Sequence, residues 1–244
     1  MLVTTSYPSQ GEGEAAAGVF VADFARALAD DGHDVVVVAP ALQSTREAEQ
    51  GVTVWRFAVP RLPLSVLGPF NPAHWRPIMT TLHAGQVAVR QACEHHRPDH
   101  ILALWALPCG YWAGQVSRET GIGYSTWALG SDIWSLGRVP VVRGLLARTL
   151  RQASLRYADG LQLGKAVSDL SGMDCGFLPS SRMLPCTPRE FRRAPPWRLA
   201  FLGRWHANKG ADLLINALQE LNDDDWSRIS EFRFAGGGPL ESEI

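Results

Sequence analysis

The chain has 244 residues, of which 46% are hydrophobic and 19% charged. That composition suits one large or two modest globular domains and excludes a disordered tail-like chain. With 23 basic against 24 acidic residues there is no global basic field, which argues against a nucleic-acid partner.

The opening MLVTTSYPSQ has no basic start and no long apolar run, so it does not read as a signal peptide. Leu2 to Ser6 reads as a strand ended by Tyr7-Pro8. After a glycine-bearing loop, Val21, Phe24, Ala25 and Leu28 recur at helical spacing, with Gly32 as the residue just past the helix end. Asp34 to Ala39 is an unbroken apolar run of strand length, which implies burial on both faces of a parallel sheet. Strand, helix and strand make a right-handed βαβ unit. Val52 to Val59 then reads as a strand and RLPLSVLGPFNP as a Pro-rich excursion. Trp75 to His96 reads as a helix, His100 to Trp105 as a strand, Tyr111 to Thr120 as a helix and Gly123 to Ala128 as a strand. LGSDIW is expected to be a loop. Val141 to Tyr157 is expected to be one helix carrying Arg143, Arg148, Arg151 and Arg156, followed by a strand from Ala158 to Leu163. The alternation predicts a doubly wound α/β domain over 1–185.

From 186 to 196 the composition turns to polar, proline-rich linker. A second unit, 197–244, begins with a strand over Arg198 to Leu202, a helix over Ala211 to Leu221 and a strand over Glu231 to Ala235, closed by GGGP. The longest apolar stretch, ILALWALPCGYWAG from Ile101, is broken by Pro108 and Gly110 and is too short to span a bilayer. The four cysteines, Cys93, Cys109, Cys175 and Cys186, form no CxxC pair, and free thiols in a reducing compartment are expected. These features together predict a cytoplasmic location.

The chemistry concentrates in FLGRWHANKG, Phe201 to Gly210. The chain has only two lysines, Lys165 and Lys209, and one of them stands here. In a doubly wound sheet, ligands sit beyond the carboxyl ends of the strands. There, Arg204 offers a planar fork, Lys209 a compact charge, and the helix from Ala211 its unpaired N–H groups, while Gly203 and Gly210 allow close backbone approach. The set suits a diphosphate. The bland alternative is two solvated charges in a surface loop. The pattern is neither GxGxxG nor GxxxxGK[ST], so neither dinucleotide site nor P-loop is indicated.

Gly203-Arg204 with Lys209-Gly210 and ADLLINAL resembles the donor-phosphate loop of the family 4 glycosyltransferases. Gly236, Gly238 and Pro239 match that family's G-x-G-P turn. Pro8, Gly18 and GVFVADFARALADDGHDVVVVAP resemble its opening βαβ, and TWALGSDIW its acceptor-side loop. The resemblance implies an α/β fold of the GT-B type: a doubly wound Rossmann-like N-terminal domain on the acceptor side, and the first βαβ of a second, nucleotide-sugar-binding Rossmann-like domain. The implied function is that of a hexosyltransferase-type enzyme in polysaccharide or glycolipid assembly. It would move a sugar from a nucleoside diphosphate to a hydroxyl, retaining configuration and needing no divalent metal. By match, Arg204 and Lys209 would stabilise the leaving pyrophosphate, with Gly203, Gly210, Gly236 and Gly238 on the donor side. Gly18, Gly130, Ser131 and Asp132 would serve the acceptor. The nucleotide-sugar is a substrate, so no cofactor is implied, and the acceptor would be a glycan or a lipid-linked molecule.

Two departures stand out. Leu129 occupies a position where the family often has histidine, and the E-x7-E glutamates that hold the donor do not occur before Ile244. The chain therefore reads as a fragment with an incomplete donor site. The other readings are a non-catalytic remnant, an accessory sugar- or phosphate-binding protein, and a GT-B nucleotide-sugar isomerase. The histidines of HHRPDH, His95, His96 and His100, read as a helix end and turn before they read as a metal site. The arginine set with Leu145, Leu146, Leu150 and Leu155 reads either as a solvated helix face or as a peripheral contact with the inner face of a membrane. Trp105, Trp127 and Trp134 fall near strand ends, where they would either stack on sugar rings or fill the core.

Overall fold

The computed structural model describes residues 1–8, 18–62, 64, 67–68, 71–183, 193–206, 209–238 and 240–243. Pro239, Cys186 and parts of the expected linker and Pro-rich excursion lie outside the described residues. The chain divides into two compact units, Met1–Leu184 and Pro185–Ile244.

The first unit is an eight-stranded sheet. Its strands are β1 (Leu2–Val3), β2 (Val35–Ala41), β3 (Thr45–Glu49), β4 (Val52–Ala58), β5 (His100–Leu104), β6 (Gly123–Ala128), β7 (Leu155–Ala158) and β8 (Gly176–Phe177). Their order across the sheet is β3-β4-β2-β1-β5-β6-β7-β8. All neighbours run parallel except β3, which pairs antiparallel with β4, Thr45 opposite Arg56 and Glu49 opposite Val52. The valine run of β2 is buried on both faces, as its unbroken apolar sequence requires.

Helices cover both faces. On one side α1 (Val19–Asp30) sets Val21 and Ala25 against Val35, Val37, Val52 and Val54. Gly32 and His33 close this helix by donating to the carbonyls of Ala29 and Leu28. On the other side α2 (Trp75–His96) and α3 (Tyr111–Thr120) share a core with Val38, Trp55, Phe57 and Ile101. Both helices have the limits their periodicity predicts. The Trp112 indole lies flat under α2, donating to the Leu82 carbonyl at 3.0 Å. It fits only because Gly85 leaves its space open: a Cβ there would strike the Trp112 ring. His95 and His96 lie edge-on to Trp55, with centroids 5.7 and 5.6 Å away.

Several expectations are corrected. SDIW is helical, forming α4 (Ser131–Trp134). The arginine-bearing helix, α5 (Pro140–Gln152), ends five residues earlier than Tyr157. Arg156 therefore sits in strand β7, not on that helix, and Leu161 opens α6 (Leu161–Ser171) rather than belonging to a strand. The cause is visible in β7. Its pattern is inverted, with Leu155 exposed and Arg156 buried, so the segment reads as a continuation of the amphipathic helix. The Arg156 guanidinium is held by carbonyls, donating to Ala153 at 2.6 Å and to Leu150 and Asp174 at 3.0 Å. The first strand stops at Val3, because Thr4 turns back on itself: its hydroxyl donates to the Ser6 carbonyl and accepts from the Ser6 N–H.

The second unit pairs β9 (Trp197–Arg204) in parallel with β10 (Ile229–Gly237). The connection runs through α7 (Ala211–Gln219) and α8 (Asp223–Ser227), the latter opened by an Asn222–Asp225 capping box. Phe201 stacks on Phe234 across the pair, with centroids 4.6 Å apart. Both strands are longer than expected. Gly203 and Arg204 close β9, and Gly236 lies within β10.

Two outcomes are expected. Gly85→Ala gains up to about 1 kcal/mol of helix propensity but forces Trp112 aside, at a cost of about 1–3 kcal/mol. The urea midpoint should therefore fall. Burial pushes the Tyr124 hydroxyl, which donates to the Thr149 carbonyl at 2.7 Å, up to about 12. Its contribution is fully present below about pH 10, where the unfolded tyrosine begins to ionise, and is lost as pH climbs towards about 12. Tyr124→Phe should cost about 1 kcal/mol at neutral pH and flatten that alkaline decline, as read from denaturation curves across the range.

Candidate functional site

The chain adds strands to one side of β1 through β2 and β4, then returns to the other side with β5, β6, β7 and β8. The reversal lies between β1 and β5, and the crevice beyond their carboxyl ends is where such sheets hold ligands. Gly18 stands there, at the head of α1. Its φ is +73° and it is buried, and a Cβ would collide with the Ser6 carbonyl and the Tyr7 N–H, so only glycine fits. Among the described residues, no side chain caps α1.

The exit of β5 is shaped unusually. Trp105 has φ +69°, a sparsely populated conformation for a large side chain, and its N–H bonds the Trp127 carbonyl at 2.9 Å. Phe20, on the first turn of α1, meets both Trp105 and Trp127 edge-on at 6.3 and 6.0 Å. Trp127 is buried and its indole donates to the Leu178 carbonyl. Trp127 is thus a core residue, Trp105 is half-buried at the crevice, and Trp134 is exposed.

The loop after β6 is organised by Asp132, which is 1% exposed. One carboxylate oxygen accepts the Ala106 N–H at 2.6 Å. The other accepts from Gly130 at 3.1 Å and from Leu129 at 3.4 Å. Asp132 thereby ties the exit of β5 to the exit of β6. Burial pushes its carboxyl above the usual range, and the amide bonds pull against that shift. Gly130 is buried beside it, and Ser131 faces solvent. So Gly18, Gly130, Ser131 and Asp132 all stand at the exits of β1 and β6, and Asp132 already spends its carboxylate on the backbone.

Arg56 is a functional-looking residue that the sequence reading passed over. It lies within β4 almost wholly buried, donates to the Pro8 carbonyl at 2.8 Å, and lies 3.8 Å from Glu49 and 4.0 Å from Glu47. Its guanidinium stands 5.5 Å from the Tyr7 ring centre. It thus braces the segment leaving β1. An arginine inside an otherwise apolar strand, VTVWRFA, is the signal that could have found it.

In the second unit, β9 and β10 end side by side, Gly203 opposite Gly236 and Arg204 opposite Gly237. The two backbones approach so closely that a Cβ on Gly236, at φ +153°, would overlap the Gly203 carbonyl. Trp205 donates its N–H to the Gly237 carbonyl at 3.0 Å, and the Leu240 N–H returns to the Trp205 carbonyl at 3.1 Å. A Cβ on Gly238 would meet that same Trp205 backbone. Lys209 N–H bonds the His206 carbonyl, and Gly210 opens α7 in the left-handed conformation, with no side-chain cap among the described residues. Arg204 and Lys209 are both exposed, one on each side of this turn. The arrangement combines two cations, an uncapped helix start and glycine backbone, a set suited to phosphate oxygens. Among the described residues, no three His, Cys, Asp or Glu side chains are grouped to hold a metal ion. No described helix is long and apolar enough to cross a membrane.

Residues 15–162 match the family described as glycosyl transferase 4-like domain. No curated protein matches the chain. Solved structures share its fold. Sucrose-phosphate synthase from Thermosynechococcus elongatus matches 99% of this chain and 63% of its own length at 14% identity, with a TM-score of 0.64. The UDP-forming alpha,alpha-trehalose-phosphate synthase from Burkholderia vietnamiensis matches 99% of this chain and 65% of its own at 14% identity and 0.62. Anabaena HepE, in complex with UDP and glucose, matches 100% and 63% at 15% identity and 0.59. The chain therefore spans just under two thirds of the length of each.

Asp132→Asn tests the loop directly. The amide can accept on one side only and turns an NH2 towards a backbone donor on the other. A loss of about 1–3 kcal/mol is expected in thermal or urea unfolding, although the side chains are nearly the same size.

Proposed function

The chain belongs to the family of glycosyl transferase 4-like domains, its fold is the α/β arrangement of the GT-B enzymes, and on that premise we propose that it acts in sugar transfer from a nucleoside diphosphate to a hydroxyl acceptor. The observation that carries the reading is the turn after β9, where Arg204 and Lys209 flank the open start of α7. The second unit would hold the donor. As the bond to the sugar breaks, negative charge grows on the leaving diphosphate, and fixed cations meet it without reorganising. Gly203, Gly210, Gly236 and Gly238 would let the phosphates approach the backbone. UDP is the nucleotide this reading favours, since the names of the similar structures mention UDP or UDP-forming chemistry.

The first unit would serve the acceptor at the exits of β1 and β6. Gly18 offers the uncapped start of α1, and Ser131 presents the exposed hydroxyl of the loop. Asp132 would act by holding Leu129, Gly130 and Ala106 in place rather than by meeting the sugar itself. Retention of configuration, independence from divalent metal, a hexosyl donor, a role in polysaccharide or glycolipid assembly and a cytoplasmic site complete the reading.

Titration of UDP against the intrinsic tryptophan fluorescence of the chain tests the donor side. Saturable binding is expected, weakened about 10-fold or more by Arg204→Ala or Lys209→Ala, since each removes a charge-assisted contact. Both residues are exposed, so unfolding midpoints should stay within about 0.5 kcal/mol of the parent. UDP binding that ignores both substitutions would sink the assignment. Release of UDP from a UDP-sugar only when acceptor is supplied would separate transfer from isomerisation, which needs none.

A further inference from the structure

Between Asp132 and Asp159 the chain carries five arginines and no acidic residue. Arg156 is withdrawn into the unit, its charge spent on carbonyl oxygens. Arg138, Arg143, Arg148 and Arg151 are exposed. Among the described residues, Arg138, Arg143 and Arg148 have no carboxylate partner. The expected apolar half of this surface is also redrawn. Leu146 and Leu150 lie in the core, and Leu155 belongs to β7.

Other apolar side chains stand outside instead. Trp134 on α4 is 52% exposed, Val141 85% and Leu145 40%. Val141, Leu145 and Arg148 are spaced i, i+4 and i+7, so they line one stripe of α5, opposite the buried Leu146 and Leu150. Cations alone would suit any polyanion. Exposed valine and leucine on the stripe that carries Arg148 gain only from a surface that offers hydrocarbon beneath its charge, while arginine stems reach back to the headgroups. Helix α5 has 13 residues, too few to span a bilayer but enough to lie on one.

We propose that the segment from Trp134 to Arg151, built on α4 and α5, docks this unit on an anionic lipid bilayer. The sequence Leu129 to Trp134 runs directly from the proposed acceptor loop into this surface. Resting on the acceptor reading above, the surface would present a lipid-borne acceptor to that loop.

Co-sedimentation with vesicles is the test, using phosphatidylcholine alone and phosphatidylcholine mixed with phosphatidylglycerol. The protein should bind only the mixed vesicles, and binding should fade towards 1 M salt, where the screening length shrinks to about 3 Å. Arg148→Gln should weaken partition about 5-fold, because one surface arginine contributes about 1 kcal/mol on an anionic membrane. Val141→Ser with Leu145→Ser should weaken it as well, whereas a purely electrostatic contact would not notice. Arg138→Gln, on the turn before α5, gives an independent variant. Melting curves confirm that each variant is folded. Absence of binding, equal binding to both vesicles, or binding to heparin but not to vesicles would overturn the proposal. UDP binding by the same variants should be unchanged, so a negative vesicle result leaves the Arg204–Lys209 reading standing.

Discussion

Parallel neighbours cannot be joined by a tight hairpin, and this one constraint arranges the first unit. Each return but one passes through a helix that buries one side of the sheet, the link from β2 to β4 running instead through the antiparallel edge strand β3, so seven strands leave at the same edge. At that edge stand the glycine that fits under Ser6 and Tyr7 and the tryptophan at φ +69° after β5. The opposite edge has left-handed residues of its own, Gln50 and Gly51 before β4 and Arg97 before β5, and there the N-terminal ammonium bonds the His100 carbonyl and the His100 ring lies against Ser125. The candidate site lies at the exit edge because the topology opens a crevice there.

Charge is handled in two ways within the chain. In the first unit three ionic groups are enclosed and bonded to backbone: Asp132 to three amides, Arg56 to the Pro8 carbonyl, and Arg156 to the carbonyls that precede β7 and β8. Such groups fix the path of the chain, and the hydrogen bonds they accept or donate offset part of their solvation cost. In the second unit the cations of the β9 turn are exposed and the glycines around them leave room. Enclosed charges shape loops, while open ones remain available to a ligand.

The legibility of the sequence follows the same physics. The valine run of β2 and the helices Trp75–His96 and Tyr111–Thr120 declare themselves because tertiary packing and local periodicity agree. Strand β3, TREAE, carries no apolar alternation and is visible only through its pairing with β4. Strand β7 is hidden by its inverted burial, and α4 by its brevity. For the site, glycines could be placed because their backbone role leaves a sequence trace. The part played by Asp132 could not. A carboxylate bonded to Ala106, 26 positions away, looks in sequence like any aspartate near a turn.

Strand β3 has one further consequence. An open sheet exposes unpaired backbone at its margins, and those margins invite pairing with another chain. Here one margin is the short, charged Thr45–Glu49, with Arg46, Glu47 and Ala48 exposed and Arg46 folded over the Trp55 ring at 3.6 Å. The other is Gly176–Phe177, two residues long. Neither offers a long, flat apolar template. The sheet is thereby guarded against edge-to-edge self-association and fibril growth, even though its interior strands are as β-prone as valine can make them.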